Sequence, residues 1–432
     1  MTNSSNRMRI AVIGAGVAGL YTAFKLAHEH DVTLYEQHSR VGGHTDTHDV
    51  IGPTGRSAID SGFIIFNPQR YPLFNAWLDE LGVASRATEM SFGIACRKSG
   101  LEYNATSMNK LFCQRQNLLR PRFLRMVSDI LAFYRQAPAL LDSLSEQLSL
   151  GDWLAESKFS RAFADDHLIP MASALWSTPP TRVRQFPMRY LLEFMRNHNM
   201  LQANDRLVWR TIQGGSQQYV KRALARYQGR LHVSTRVERI CRKADSIRVK
   251  SGAGQRGYDQ VVLACHADQA LAMLHEPSPK ESEVLGAFEF TENDTVLHTD
   301  ATRMPRNRLA WASWNVRRDQ TDDSDAAQIS YWMNRLQGIA PDTPKDSAPY
   351  IVSLNQTDRI NPDKIIKRRR YAHPLYTHQS RTAQKQWHAI NGKNGLWFCG
   401  AYWGWGFHED AVRSADRVIR GIERRAQIDH AA

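Results

Sequence analysis

At 432 residues the chain is long enough for two or three domains, and a 42% hydrophobic content supplies a large core. Fifty-six basic against 43 acidic residues give a formal charge of +13, which suits an anionic membrane face or plain solubility; no DNA- or RNA-binding motif accompanies it, so nucleic acid is not the expected partner. Five cysteines (Cys96, Cys113, Cys241, Cys265, Cys399) without Cys-x-x-Cys spacing read as reduced thiols, and no apolar run spans a bilayer, so the expectation is a cytoplasmic chain with at most peripheral contact on the inner membrane face.

The first predicted strand, Arg9–Ile13, runs into Gly14-x-Gly16-x-x-Gly19 and an amphipathic helix from Val17 to about Glu29; a second strand, Val32–Tyr35, ends at Glu36. In such a strand-turn-helix unit the first glycine permits the turn, the second lets a pyrophosphate reach the backbone, and the third lets the helix pack close to the strand. The helix start offers N–H groups to phosphate oxygens, and the acid at the end of the next strand accepts from a ribose. Gly14, Gly16, Val17, Ala18, Gly19, Glu36 and Gln37 are therefore candidate dinucleotide contacts. Arg40-x-Gly42-Gly43-His44 follows as a second glycine turn beside a cation, and reads either as the other wall of that pocket or as a bare turn.

Ala58–Phe66 reads as a strand around Gly62, with Phe63 beside it, and a glycine inside a strand marks close approach by another group. A helix is expected over Tyr71–Leu81. From Ser107 to Asn199 the periodicity is helical, and within it Lys110–Met126 interleaves Arg with Leu and Phe. Such a surface either lies on anionic lipid or is a solvated helix whose aliphatic side is core; Lys367–Arg370 adds to such a patch. Leu231–Val233 and Arg236–Ile240 are two short strands, and Tyr258–Ala264 returns to a parallel sheet. Gly252-x-Gly254-x-x-Gly257 repeats the glycine spacing, but strands flank it and no helix follows, so it is a hairpin loop and one dinucleotide site remains. Strands over Thr295–Thr299, Leu309–Val316, Gln328–Met333 and Tyr350–Leu354 carry Trp311, Trp314 and Trp332, an aromatic face that either walls a large apolar substrate or packs the core. A helix over Ala411–Gln427 closes the chain.

Taken together, Gly14-x-Gly16-x-x-Gly19, Glu36, Arg40-x-Gly42-Gly43 and Asp60-Ser61-Gly62-Phe63 resemble the N-terminal signature of the flavin-containing amine oxidase and phytoene desaturase superfamily. The resemblance resumes at Leu396–Ala401 and Gly406–Val412. Within the superfamily the chain looks most like bacterial FAD-binding oxidoreductases, on Ala174–Ser177, Asn197-His198 and Trp209–Ser216. The resemblance implies an α/β fold: a Rossmann-like FAD-binding domain of the glutathione-reductase type, an α+β substrate domain and a helical insertion. Its implied segments are 1–70, 201–275 and 391–432 for FAD, 71–106 and 276–390 (antiparallel sheet) for substrate, and 107–200 for the helical cap.

It also implies FAD contacts at Val237, Gly400, Ala401, Gly406, Phe407, His408 and Ala411, and places Trp403 and Trp405 near the flavin, as substrate-facing residues with Trp311. The C-terminal helix start would favour negative charge on a reduced flavin. Amine oxidases of the superfamily usually place a lysine beside the flavin, but the matching stretch, Asn293–His298, has none. His298 and His408 are therefore the nominated base or proton relay. No metal site is expected. Cys399 occupies a small-residue position, so FAD is expected to be noncovalent. The expected function is dehydrogenation or desaturation of a large apolar substrate, a lipid or fatty acyl chain, by hydride transfer to flavin. The alternatives are a flavin amine oxidase and a non-catalytic flavin-bound binding protein.

Overall fold

The structure is a computed structural model that describes residues 7–52, 55–201, 207–243, 246–318, 326–339 and 349–431. Ile10–Ile13 and Val261–Leu263 are β-branched or aliphatic runs buried on both faces, the pattern of central parallel strands. They sit in a five-stranded parallel sheet ordered Leu396–Phe398, Gln260–Leu263, Arg9–Ile13, Asp31–Tyr35, Arg230–His232. Chain segments far apart in sequence thus lie side by side. The helix Val17–Leu26 covers the sheet and packs on the C-terminal helix His408–Ala431.

The repeated glycine spacing forms a hairpin: Ile247–Ser251 pairs antiparallel with Gly254–Tyr258, beside Val237–Arg242. The strand expected around Gly62 ends earlier. Thr47–Gly52 and Gly55–Asp60 form a hairpin, after which the chain bends at Ser61-Gly62; glycine is required at 62 because a Cβ there would collide with the His44 carbonyl oxygen.

A seven-stranded sheet makes the second layer, in the order Ile365–Pro374, Phe290–His298, Ile351–Leu354, Ile329–Trp332, Trp314–Arg318, Phe92–Cys96, Leu101–Asn104. Three features depart from expectation. Leu309 lies in a tight turn, Arg308–Ala310, capped by the Asn307 side chain, and the strand begins only at Trp314. The first substrate segment supplies two strands of this sheet, including the parallel pair Phe92–Cys96 with Trp314–Arg318. Lys367–Arg370 lies in the edge strand Ile365–Pro374, where Arg369 is ion-paired to the buried Asp46 at 2.5 Å and Arg370 to Asp294 at 3.3 Å. Part of that basic run therefore serves the fold.

Phe74, Trp77 and Leu78 of the helix Pro72–Glu80, and Ala383, Trp387 and Ile390 near the other end, are buried in the core of the parallel sheet. Residues 72–80 and the helices His378–Lys385 and Trp387–Ile390 thus pack with the dinucleotide domain. The helical insertion has a core of its own around Phe133, Trp153, Phe163 and Tyr190, built from Pro121–Ser143, Leu150–Glu156, Ile169–Trp176 and Met188–Asn197.

Candidate functional site

The cleft is built first from the two glycine turns. Gly14 has φ +97°, and a Cβ there would lie 2.8 Å from the Ala264 carbonyl oxygen, so only glycine ends this strand. A Cβ on Gly19 would strike the Gly14 carbonyl oxygen, whereas one on Gly16 meets nothing within 4 Å. The backbone at Gly16 therefore borders open space. No side chain caps the helix that begins at Val17, so the amides of Ala18 and Gly19 are available to an anion. The second turn docks on the first: Gly42 N–H donates to the Ala15 carbonyl at 2.9 Å, and Gly43, at φ +59°, is held against Gly16.

Arg40 does not reach freely into the cleft. Its guanidinium donates to the carbonyls of Thr45 at 2.6 Å and Gly43 at 2.7 Å, stapling the second turn, and its charge is met by the buried Asp46 at 3.5 Å. Glu36 is buried and accepts from Ala15 N–H and His38 N–H, each at 2.9 Å. Each oxygen keeps a lone pair for a ribose hydroxyl, and Gln37 follows as an exposed neighbour. Thr235 N–H donates to the Glu36 carbonyl at 2.8 Å, which brings the Val237 segment beside it. The open space at Gly16, the uncapped helix and the paired lone pairs of Glu36 fit a dinucleotide.

The C-terminal segment forms the other end. Gln384 Nε2 donates to the carbonyls of Tyr402 and Gly404 at 2.7 Å, Tyr190 OH to Gly404 at 2.9 Å, and Trp176 Nε1 to Trp405 at 2.9 Å. The run from Gly400 through Ala401 to Gly406 is thus held in place by the helix His378–Lys385 and the helical insertion. The helix starts at His408, ahead of Ala411, because Asp410 accepts from Phe407 N–H at 3.1 Å and pairs with Arg413. Glu409 accepts from Leu73 N–H at 3.2 Å and Phe74 N–H at 3.0 Å, capping the helix Pro72–Glu80.

Both nominated histidines are buried. His408 is buried, its ring stacked on Phe63 at 3.5 Å, with Nε2 3.2 Å from Thr45 Oγ1 and 3.3 Å from Tyr219 OH. Burial holds its pKa well below the usual histidine value, so it is a neutral support under the second glycine turn. His298 is fully buried; Nδ1 accepts from Asp300 N–H at 3.0 Å and Nε2 faces Ser353 Oγ at 2.8 Å. Leu297 points into the core between sheet and insertion, so His298 lies on the opposite face. Trp311 is on that far side too, edge-on to Trp332 at 5.2 Å and covered by the Arg308 guanidinium at 3.6 Å. Trp403 packs on Phe288 at 5.2 Å in the core of the parallel sheet. Of the nominated substrate residues only Trp405 joins an aromatic wall, with Tyr190, Phe194 and His198.

Composition concealed a histidine cluster at the seam of the two sheets. His44 lies 5.4 Å from His373 and 6.1 Å from His266, ring to ring. His44 Nε2 donates to the Ala372 carbonyl at 3.1 Å. His373 Nδ1 accepts from the Asn293 amide at 3.0 Å, and His266 stacks on Phe290 at 4.3 Å. Burial lowers the pKa of His44 and His266 to about 4 and of His373 to about 3. The signal was topological: His266 follows the end of a parallel strand next to the first glycine turn, where ligands of open α/β sheets bind. No three His, Cys, Asp or Glu among the described residues are arranged to hold a metal.

A cavity of about 620 Å³ is lined by Thr88, Glu89, Met90, Thr106, Val208 and Trp209, among others. Trp209 stacks on His198 at 6.2 Å, His198 on Phe194 at 4.0 Å, and Phe194 on Phe407 at 5.2 Å. One row of rings connects the cavity wall to the C-terminal segment of the cleft.

The family model described as flavin containing amine oxidoreductase matches residues 17–298. A provisionally named flavin-containing monoamine oxidase, AofH, of Mycobacterium tuberculosis is 26% identical over 289 residues, covering 64% of this chain and 61% of that protein. An L-amino-acid oxidase of Siganus canaliculatus is 23% identical over 330 residues, covering 70% of this chain and 58% of its own length. The chain thus spans less than two thirds of either relative. Among solved structures, cyclohexylamine oxidase from Brevibacterium oxydans superimposes with a TM-score of 0.69 at 14% identity, over 98% of this chain and 100% of that one. A fatty acid isomerase from P. acnes that produces CLA gives 0.67 at 16% identity, over 97% and 99%. At these identities the two structures speak for the fold alone.

Proposed function

The chain belongs to the flavin-containing amine oxidoreductase family, and on that premise we propose that this FAD-dependent oxidoreductase dehydrogenates or desaturates a large apolar substrate, a lipid or fatty acyl chain. The observation that carries the reading is the row of rings from the cavity wall at Trp209 to Phe407. The partly exposed Trp209 and Phe407 at its ends offer apolar contact to a long hydrocarbon, which needs few polar partners, while the buried His198 and Phe194 hold them in place.

Bound FAD supplies the hydride acceptor. The chain's own residues hold and shield it. Gly16, Ala18 and Gly19 present backbone to the pyrophosphate, and Glu36 accepts from the ribose. Trp176, Tyr190, Phe194 and Trp405 exclude water from the reacting end, and the hydrogen bonds of Tyr190 and Trp176 to the Gly404 and Trp405 carbonyls keep that wall in place. His44, Nε2-protonated and neutral, fixes the second glycine turn against the substrate sheet.

Amine oxidation is the second reading, favoured by the names of the sequence relatives. Against it, Phe290–His298 carries no lysine. Anaerobic addition of substrates to the purified flavoprotein distinguishes the two. Bleaching of the flavin by fatty acyl lipids and not by mono- or polyamines is the expected result; bleaching by amines alone overturns the lipid reading. A flavin that neither bleaches points to a binding role without chemistry.

A further inference from the structure

From Ser107 to Met126 the chain carries five basic residues, Lys110, Arg115, Arg120, Arg122 and Arg125, and no acidic one. The apolar stripe of the helix Pro121–Ser143 is accounted for: Phe123, Met126, Phe133 and Ala137 are buried. Other apolar side chains of this region are not. Leu119 is 86% exposed, Met108 69% and Leu118 51%, and Leu124 is exposed as well. Arg115 ties the two short turns that carry Met108, Leu118 and Leu119, donating to Asn109 Oδ1 at 2.5 Å and to the Phe112 carbonyl at 3.0 Å. Arg122 and Arg125 rest on the buried carboxylates of Asp166 and Asp129, yet both side chains stay more than half exposed. The result is exposed leucine and methionine set among held-up guanidinium groups.

This face adjoins the cavity. Thr106, two residues before Met108, lines it, as does the largely exposed Val208, and Lys110 reaches to 3.9 Å of Glu89 on the cavity wall. We propose that this face seats on an anionic bilayer, Met108, Leu118 and Leu119 entering the acyl boundary while the basic side chains meet lipid phosphates, so that the cavity mouth opens beside the leaflet. The charge is the argument for the occupant: of the five basic side chains, Lys110, Arg122 and Arg125 each meet one carboxylate, yet Arg122 and Arg125 stay more than half exposed and Arg115 and Arg120 add to them, so a net positive face around exposed apolar side chains matches a negatively charged surface with an apolar interior. Delivery of a lipid from that leaflet rests on the function proposed above; the docking face does not.

The test sediments the flavin-bearing protein with vesicles of phosphatidylcholine alone, or of phosphatidylcholine and phosphatidylglycerol, at low and high salt. Capture by the anionic vesicles at low salt, lost at high salt, is expected. Leu119→Ser should weaken capture about tenfold, and Leu118→Ser with Leu119→Ser further, both with unchanged flavin absorbance. Ile51→Ser, at an equally exposed residue on the hairpin Thr47–Asp60, should have no effect. Equal capture by neutral vesicles, no capture, insensitivity to Leu119→Ser, or a concentration-dependent dimer abolished by Leu119→Ser would each overturn the docking face. Bleaching by detergent-dispersed lipid is read separately: if vesicles capture the protein and no lipid bleaches it, docking stands and the lipid substrate falls.

Discussion

Phe63 and His408 lie face to face with ring centroids 3.5 Å apart and planes 14° from parallel, although they come from opposite ends of the chain. The stack joins the bend after the hairpin Thr47–Asp60 to the first residue of the C-terminal helix, and so fixes the two ends of the cleft relative to each other.

Replacing His408 is accordingly expected to affect cofactor retention before chemistry. His408→Leu removes one partner of two buried hydroxyls, Thr45 and Tyr219, which keep each other at 2.5 Å, at a cost of about 1 kcal/mol. Flavin affinity and the denaturation midpoint should fall together, while the pH profile of activity per bound flavin keeps its shape. A vanished or displaced limb of that profile would restore His408 as an acid or base.

The two glycine turns separate folding from binding. Gly19→Ala drives a methyl group into the Gly14 carbonyl and should impair folding. Gly16→Ala meets no protein atom within 4 Å, so the variant should fold, keep its far-ultraviolet spectrum and be isolated without colour. A yellow Gly16→Ala protein of unchanged affinity would mean the pyrophosphate lies elsewhere.

Acid should destabilise the protein through its histidines. Burial depresses the pKa of His167, His198 and His298 to about 4, alongside the cluster of His44, His266 and His373. For each, the unfolded state takes up its proton near pH 6.5 while the folded state resists to about 4. The stability these residues contribute is complete above pH 6.5 and is lost as pH falls through that window, on the order of 3 kcal/mol for each shift of this size. Urea midpoints should be level above that window and fall steeply within it. A level midpoint through the whole range would show that these rings are solvated.

Cys399 is fully buried beside Thr22, and burial raises its thiol pKa to about 12. A protonated, buried thiol is a poor attachment point, and noncovalent flavin is the expected outcome. Acid precipitation should leave the yellow colour in the supernatant; colour retained in the pellet would indicate a covalent bond.

How much of this was legible beforehand follows from where the constraints act. The Gly14–Glu36 unit was readable because each residue answers a local demand: a turn, a close approach, a strand end. The helical character of Ser107–Asn199 and the parallel strands were readable from pattern, but Lys110–Met126, expected as one amphipathic stretch, breaks into two short turns before the helix that begins at Pro121. The roles of His298, Trp311 and Trp403 were not, since which face of a strand or turn meets the cleft depends on sheet pairing. His298 sits one residue past Leu297, and that single step turns it away from the cleft. His373 was hidden in a basic run that pairs, strand to strand, with Phe290–His298, and the Trp209 to Phe407 row joins segments that only the folded insertion brings together.

The account depends most on a flavin nucleotide held between the Gly14–Gly43 turns and the His408 helix. The visible absorption spectrum of the freshly purified protein tests this directly. Flavin bands that sharpen or persist on adding FAD and vanish from Gly16→Ala are the predicted result. A colourless protein that binds no added FAD would contradict it.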